Sequence, residues 1–182
     1  MTYPSRHDPD HLYFVTASIV GWKSLFAEPR YSQFILDSLS WLRHNKRMLL
    51  FAFVSMPNHI HTIVKPINLM IGELIQVFGS FTAHAILKQL HLDRRFTLLR
   101  YFHRHRRDER HNHSIWQDIQ AQNIYSDLFL RQKFEYLQNN PLRKDWHFVD
   151  DRADYPLSSA CYYDRGEEPV IDIDDIWIWC SP

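Results

Sequence analysis

Cysteine is almost missing from this 182-residue chain: Cys161 and Cys180 are too few for a disulfide scaffold and suit a reducing compartment. Glycine is scarce too, at four residues, which excludes long flexible linkers. No apolar run approaches the roughly 18–20 residues that cross a bilayer, so no membrane partner is expected. The opening MTYPSRHDPDH lacks the apolar centre of a secretory signal. A cytoplasmic protein is the expectation. Net charge is absent as well, at +0, yet that average hides two blocks. Residues 88–110 hold eight Lys and Arg against three acids, and residues 164–175 hold six acids and one Arg. A basic stretch with an acidic tail suits a chain whose one face meets phosphates; a solvated charged surface is the plainer alternative.

What is present supports one domain with a real core: 45% of residues are apolar. Twelve histidines and 15% aromatics stand out, and aromatics are what unpaired bases stack on. Residues 12–20 are β-branched and aromatic, a strand. Residues 31–46 repeat Phe34, Ile35, Leu39 and Leu42 at helical spacing. The continuous apolar run 48–55 predicts a strand buried on both faces, returning through Pro57-Asn58 into a strand over 59–65. Residues 69–90 predict a helix with Leu74, Val77, Phe78, Phe81 and Ala85 as its apolar stripe. Residues 91–112 predict a basic loop with a helical turn, 114–120 a strand, and 126–139 a helix capped by Ser126 and stopped by Pro141. The remainder wraps the core irregularly. The order β-α-β-β-α-β plus a helix gives an α+β, ferredoxin-like split βαβ fold: a four-stranded antiparallel sheet with helices on one face and a C-terminal helix beyond. One domain over 1–163 and an acidic tail over 164–182 are expected.

The segment MPNHIHTIV, residues 56–64, holds the most specific chemistry. In a strand His59, His61 and Ile63 share one face, while Ile60, Thr62 and Val64 share the other. Cβ atoms two residues apart lie about 6.5–7 Å from each other, which lets two imidazoles converge on one ion. His103/His105 and His111/His113 repeat the spacing, but in charged segments without a strand pattern. Two histidines hold a hard divalent ion poorly, so a third ligand is needed. In FEYLQNNP, Tyr136 and Asn140 lie four apart, on one helix face if helical geometry persists to Pro141. The carboxamide would complete a metal site and the phenol would attack what the metal holds. Alternatively, Asn140 caps the helix end and Tyr136 packs against the sheet.

Taken together, MPNHIH with TIV, then GSFTAH, IWQ, QKFEYLQNNP and YPLSSACYY resemble the REP-associated tyrosine transposases of bacteria, within the single-tyrosine HUH transposase superfamily. The motifs keep the family's order across residues 12–163. The resemblance implies a nuclease and strand transferase that cuts single-stranded DNA beside palindromic hairpins. His59, His61 and Asn140 match its metal ligands, for Mg²⁺ or Mn²⁺, and Tyr136 its nucleophile; relatives are monomers or homodimers. Imidazole is somewhat soft for Mg²⁺. Leu142-Arg143-Lys144-Asp145-Trp146 departs from the Val and Gly-containing turn usual after the Asn-Pro, and the acidic tail has no counterpart.

DNA would be held by Lys88, Arg94, Arg95, Arg100, Arg104, Arg106, Arg107 and Arg110. Tyr101, Phe102 and Trp116 are candidates for base stacking, with core packing as the alternative for each and the stronger reading for Trp116, inside a strand. Two rival functions stay open. One is a hairpin-binding protein descended from a transposase but unable to cut. The other is a metal-dependent hydrolase using water, with Tyr136 as packing.

Overall fold

The computed structural model describes residues 11–106 and 113–179. Strand β1 (Leu12–Ile19) is followed by α1 (Pro29–His44), β2 (Met48–Met56), β3 (His59–Pro66), α2 (Ile71–Leu92), α3 (Phe96–Arg104), β4 (Trp116–Ile124) and α4 (Asp127–Gln138). Two short helices, α5 (Ala160–Arg165) and α6 (Ile176–Trp179), come late. The sheet order is β2-β3-β1-β4 with every neighbouring pair antiparallel. This is the expected split βαβ architecture.

The period of two along the strands divides the interior into two layers. Tyr13, Val15, Ala17, Ile60 and Val64 face α1, α2 and α3. Leu12, Phe14 and Ile63 face the other way, where Leu130, Phe134 and Leu137 of α4 cover them. Ser126 caps α4 by accepting from Phe129 N at 3.3 Å.

Three local expectations need correction. On α2 the buried ladder is Ile71, Leu74, Phe78, Thr82, Ile86 and Leu90, while Val77 and Phe81 are exposed. That helix is apolar almost all round, so its sequence marks no single stripe. The stretch after it is not a loop: α2 runs to Leu92 and a further helix, α3, buries Leu99 and Phe102 against the core. Their spacing of three is helical, but it is hidden among arginines. Strand β4 extends four residues past its expected end, to Ile124.

Strand β2 lies at a sheet edge and is nevertheless buried, because the late chain pairs with it. Ser55 N donates to Leu157 O at 2.8 Å and Ser159 N to Phe53 O at 3.0 Å. Asp174 N donates to Leu50 O at 2.7 Å, and Leu50 N donates back to Asp174 Oδ2 at 2.9 Å. Arg43 also clasps Asp174, while Asp164 binds Arg152. The acidic stretch is therefore tied down at Asp164 and at Asp174, and α5 spans position 163. Among the described residues no helix is long and apolar enough to cross a membrane.

Candidate active site

β3 places His59 and His61 on the face covered by α4, with ring centroids 4.9 Å apart. Both are buried. Each ring is fixed by its Nδ1 atom. His59 Nδ1 lies 2.7 Å from Asn58 Oδ1; a carboxamide oxygen only accepts, so Nδ1 carries the hydrogen and Nε2 keeps its lone pair. His61 Nδ1 lies 2.9 Å from Thr16 Oγ1, its cross-strand neighbour on β1. Burial holds both imidazoles neutral, lowering His59 to about 4 and His61 to about 3. For His61 the neighbouring His59 and the cations Lys133 and Arg143 add to the fall.

α4 ends at Gln138, and a 3-10 turn (Asn140–Leu142) continues it. The turn folds Asn140 beneath the helix, buried against the sheet. Its carboxamide lies near enough to His59 to oppose the fall in basicity, yet neither Oδ1 nor Nδ2 makes a hydrogen bond of ordinary geometry. A buried polar group without a partner is costly. Tyr136 is 40% exposed and stands edge-on to His61 at 5.2 Å between ring centroids. Arg143 Nη1 donates to its hydroxyl at 2.9 Å. All four residues line one open cleft of about 1060 Å³. The donor set is thus two neutral nitrogens and a carboxamide oxygen, with a reachable phenol beside it. Among the described residues no cluster of three His, Cys, Asp or Glu side chains competes as a metal centre.

Of the rival pairs, His103/His105 does not match this arrangement. His105 is stacked on Tyr101 at 4.0 Å and its Nδ1 lies 2.9 Å from the Tyr101 carbonyl; His111 lies outside the described residues.

Among the described residues, the basic segment does not line the cleft. Lys88 is on α2, Arg100 and Arg104 are on α3, and Arg94 and Arg95 lie between, all carried by elements that pack on the opposite sheet face. Arg95 is engaged by Glu28 at 2.7 Å, and Arg106 donates to the His103 carbonyl at 3.1 Å. Arg107 and Arg110 lie outside the described residues. Of the three stacking candidates, Phe102 is wholly buried. Trp116 is core, as expected for a strand tryptophan, with Nε1 donating to Thr82 Oγ1 at 3.0 Å. Tyr101 is half-buried, with Lys23 over its ring.

The cleft uses aromatics the sequence reading missed. Trp22 is 54% exposed and lies 5.9 Å from His59 between ring centroids; Trp146 flanks the same ring at 6.1 Å. Trp22 has φ 53, a left-handed conformation that a bulky residue rarely adopts. It follows Gly21, also left-handed, where a Cβ would collide with the Tyr101 hydroxyl. Asn58 Nδ2 donates to the Trp22 carbonyl at 3.3 Å, so one amide ties the exposed indole's backbone to the His59 ring. The only advance signals were the glycine before Trp22 and the asparagine before the histidines.

No protein-family profile matches this chain, and no curated protein matches it either. Among solved structures it is similar to a REP-associated tyrosine transposase bound to a REP hairpin, with a TM-score of 0.64 and 18% sequence identity. The match covers 97% of this chain and 93% of that one. At this identity the likeness establishes the shared fold.

Proposed function

We propose that this chain is a metal-dependent tyrosine nuclease and strand transferase acting on single-stranded DNA next to palindromic hairpins. The observation that carries the reading is one convergence: two neutral imidazoles and an orphaned carboxamide from separate elements meet beside an exposed phenol. The REP hairpin bound to the fold neighbour supports a hairpin as the partner.

His59 Nε2, His61 and Asn140 Oδ1 fit a divalent ion, Mg²⁺ or Mn²⁺. The lone pairs are unprotonated, the carboxamide lacks a partner, and Asn58 and Thr16 supply the outer hydrogen bonds that fix ring orientation. When bound, such an ion supplies Lewis-acid polarisation of a phosphate oxygen. The protein's own groups do the rest. Tyr136 Oη forms a bond to phosphorus, the bond from phosphorus to the 3′-oxygen breaks, and the phenolic proton ends on the new 3′-hydroxyl. The product is a 5′-phosphotyrosine; because the ester bond is conserved, a second 3′-hydroxyl can reverse the step onto another strand. Trp22 and Trp146 offer stacking faces beside His59.

The test is an SDS-stable protein–DNA adduct formed with Mn²⁺ or Mg²⁺ and oligonucleotides copied from the palindromic repeats flanking the gene. Wild type forms it, and Tyr136→Phe binds the same DNA without forming it. Tight hairpin binding with no adduct would indicate a protein that grips without cutting. Cleavage surviving Tyr136→Phe would indicate a water-using hydrolase.

A further inference from the structure

We propose that Arg143 and Lys133 together form a clamp for the phosphate attacked by Tyr136, with Arg143 also holding the phenol in register before DNA arrives. The inference rests on Tyr136 as the nucleophile.

Arg143 belongs to the stretch 142–146 that departs from the motif pattern, so the resemblance assigns it nothing. Its backbone is held on both sides. Arg143 N donates to Asn140 O at 3.3 Å, and Arg143 O accepts from Trp146 N and His147 N at 2.8 Å each. From that anchored turn the side chain reaches back over Tyr136. Nη1 donates to the hydroxyl, and the guanidinium carbon lies 4.9 Å from the ring centre. Lys133, one helical turn before Tyr136 on α4, also reaches the ring. Its Nζ lies 4.8 Å from the Phe14 ring centre and 5.9 Å from that of Tyr136.

Both cations line the cleft, and no carboxylate pairs with either among the described residues. Nearby arginines are neutralised: Arg152 by Glu135 and Asp164, Arg165 by Asp151 and Asp154. Even Glu135, adjacent to Tyr136 in sequence, is occupied by Arg152 and Asn139. Two unpaired cations facing a cleft leave their charge for an incoming anion.

Geometry selects the phosphate. An attacking oxygen must come within about 3–3.5 Å of phosphorus, which brings the non-bridging oxygens within reach of a guanidinium already bonded to that oxygen. Arginine has five N–H donors; one serves the phenol and the others remain for phosphate. An ammonium is a point charge without that planar fork, so lysine at 143 cannot hold both in fixed geometry.

The experiment measures single-turnover adduct formation at saturating oligonucleotide, using the same repeat-derived DNA, alongside its dissociation constant. Arg143→Ala and Arg143→Gln are expected to slow the adduct step about 10- to 100-fold, with affinity changed only a few-fold. Arg143→Lys should restore affinity but not the rate, and Lys133→Ala should slow the step by a smaller factor. A second readout needs no DNA: fluorine NMR of 3-fluorotyrosine placed at position 136 should show a shifted, broadened resonance in Arg143→Ala. Adduct formation by Arg143→Ala at the wild-type rate, an Arg143→Lys variant equal to wild type, or an unchanged fluorine signal would each overturn the clamp while leaving Tyr136 in place. Absence of any adduct with wild type would remove the nucleophile and the clamp with it.

Discussion

Acidification should destabilise the metal-free protein through the histidine pair, by an amount the structure sets. Histidine in an unfolded chain titrates near 6.5. In the folded protein burial lowers His59 to about 4 and His61 to about 3, and the residues are only 7% and 4% exposed. Both folded values lie below the unfolded one. The stability these rings contribute is therefore fully present above about pH 6.5 and declines as pH falls towards 4 and then 3. Between pH 7 and pH 5 the unfolded chain takes up protons that the folded rings refuse, costing about 2 kcal/mol per ring and about 4 kcal/mol for the pair. The figure depends little on the folded values, since both rings stay mostly neutral at pH 5. Urea unfolding in the presence of a chelator, at pH 7, 6 and 5, measures it. A His59→Gln/His61→Gln variant carries no charge at either site, so other titrating groups cancel in the comparison. Wild type should lose about 4 kcal/mol more than the variant over this range. Parallel curves would refute the claim that these rings are desolvated and neutral.

Removal of the indole in Trp22→Ala should weaken binding of oligonucleotides with unpaired flanks by about 1–3 kcal/mol and leave fully paired duplex unaffected. Equal losses on both would exclude stacking, and Trp22→Gly, which suits the left-handed backbone, separates side-chain loss from strain. Exposed Lys88, Arg94 and Arg100 have no ion-pair partner among the described residues. Their joint replacement by Ala should reduce the slope of log affinity against log salt by about 2–3. Arg95→Ala, already tied to Glu28, should change it less, and an unchanged slope in the triple variant would place DNA elsewhere.

The parts of the fold that were readable are those written in a single period. Alternation in β3 put His59 and His61 on one face and Ile60 and Val64 on the other, as observed. The spacing of four brought Tyr136 and Asn140 to one cleft even though α4 stops at Gln138, because the 3-10 turn continues the same winding. For Phe102 stacking and core packing could not be separated, because its buried face is only two residues wide within a basic run. Val77 and Phe81 were misread because α2 offers apolar residues on every side. Arg143 and Trp22 were invisible for another reason. Trp22 reaches the cleft through a turn held by the tertiary bond from Asn58 to its carbonyl, and Arg143 through an irregular local turn after Pro141; no repeat in the sequence encodes either direction. Lys133 was the exception: one turn before Tyr136 on the same helix, it could have been placed by counting.

Sealing of β2 by the late chain bears on the order in which this protein can be made. Leu50 waits for Asp174, 124 positions downstream, before its amide is satisfied. A nascent polypeptide that has emerged only as far as β4 already possesses four strands, yet one margin of the sheet is still bare. Bare margins recruit strands from neighbouring molecules, and closures spanning so much chain form slowly. Synthesis therefore passes through an interval in which the barbs of self-association are exposed, and residues 155–174 end it.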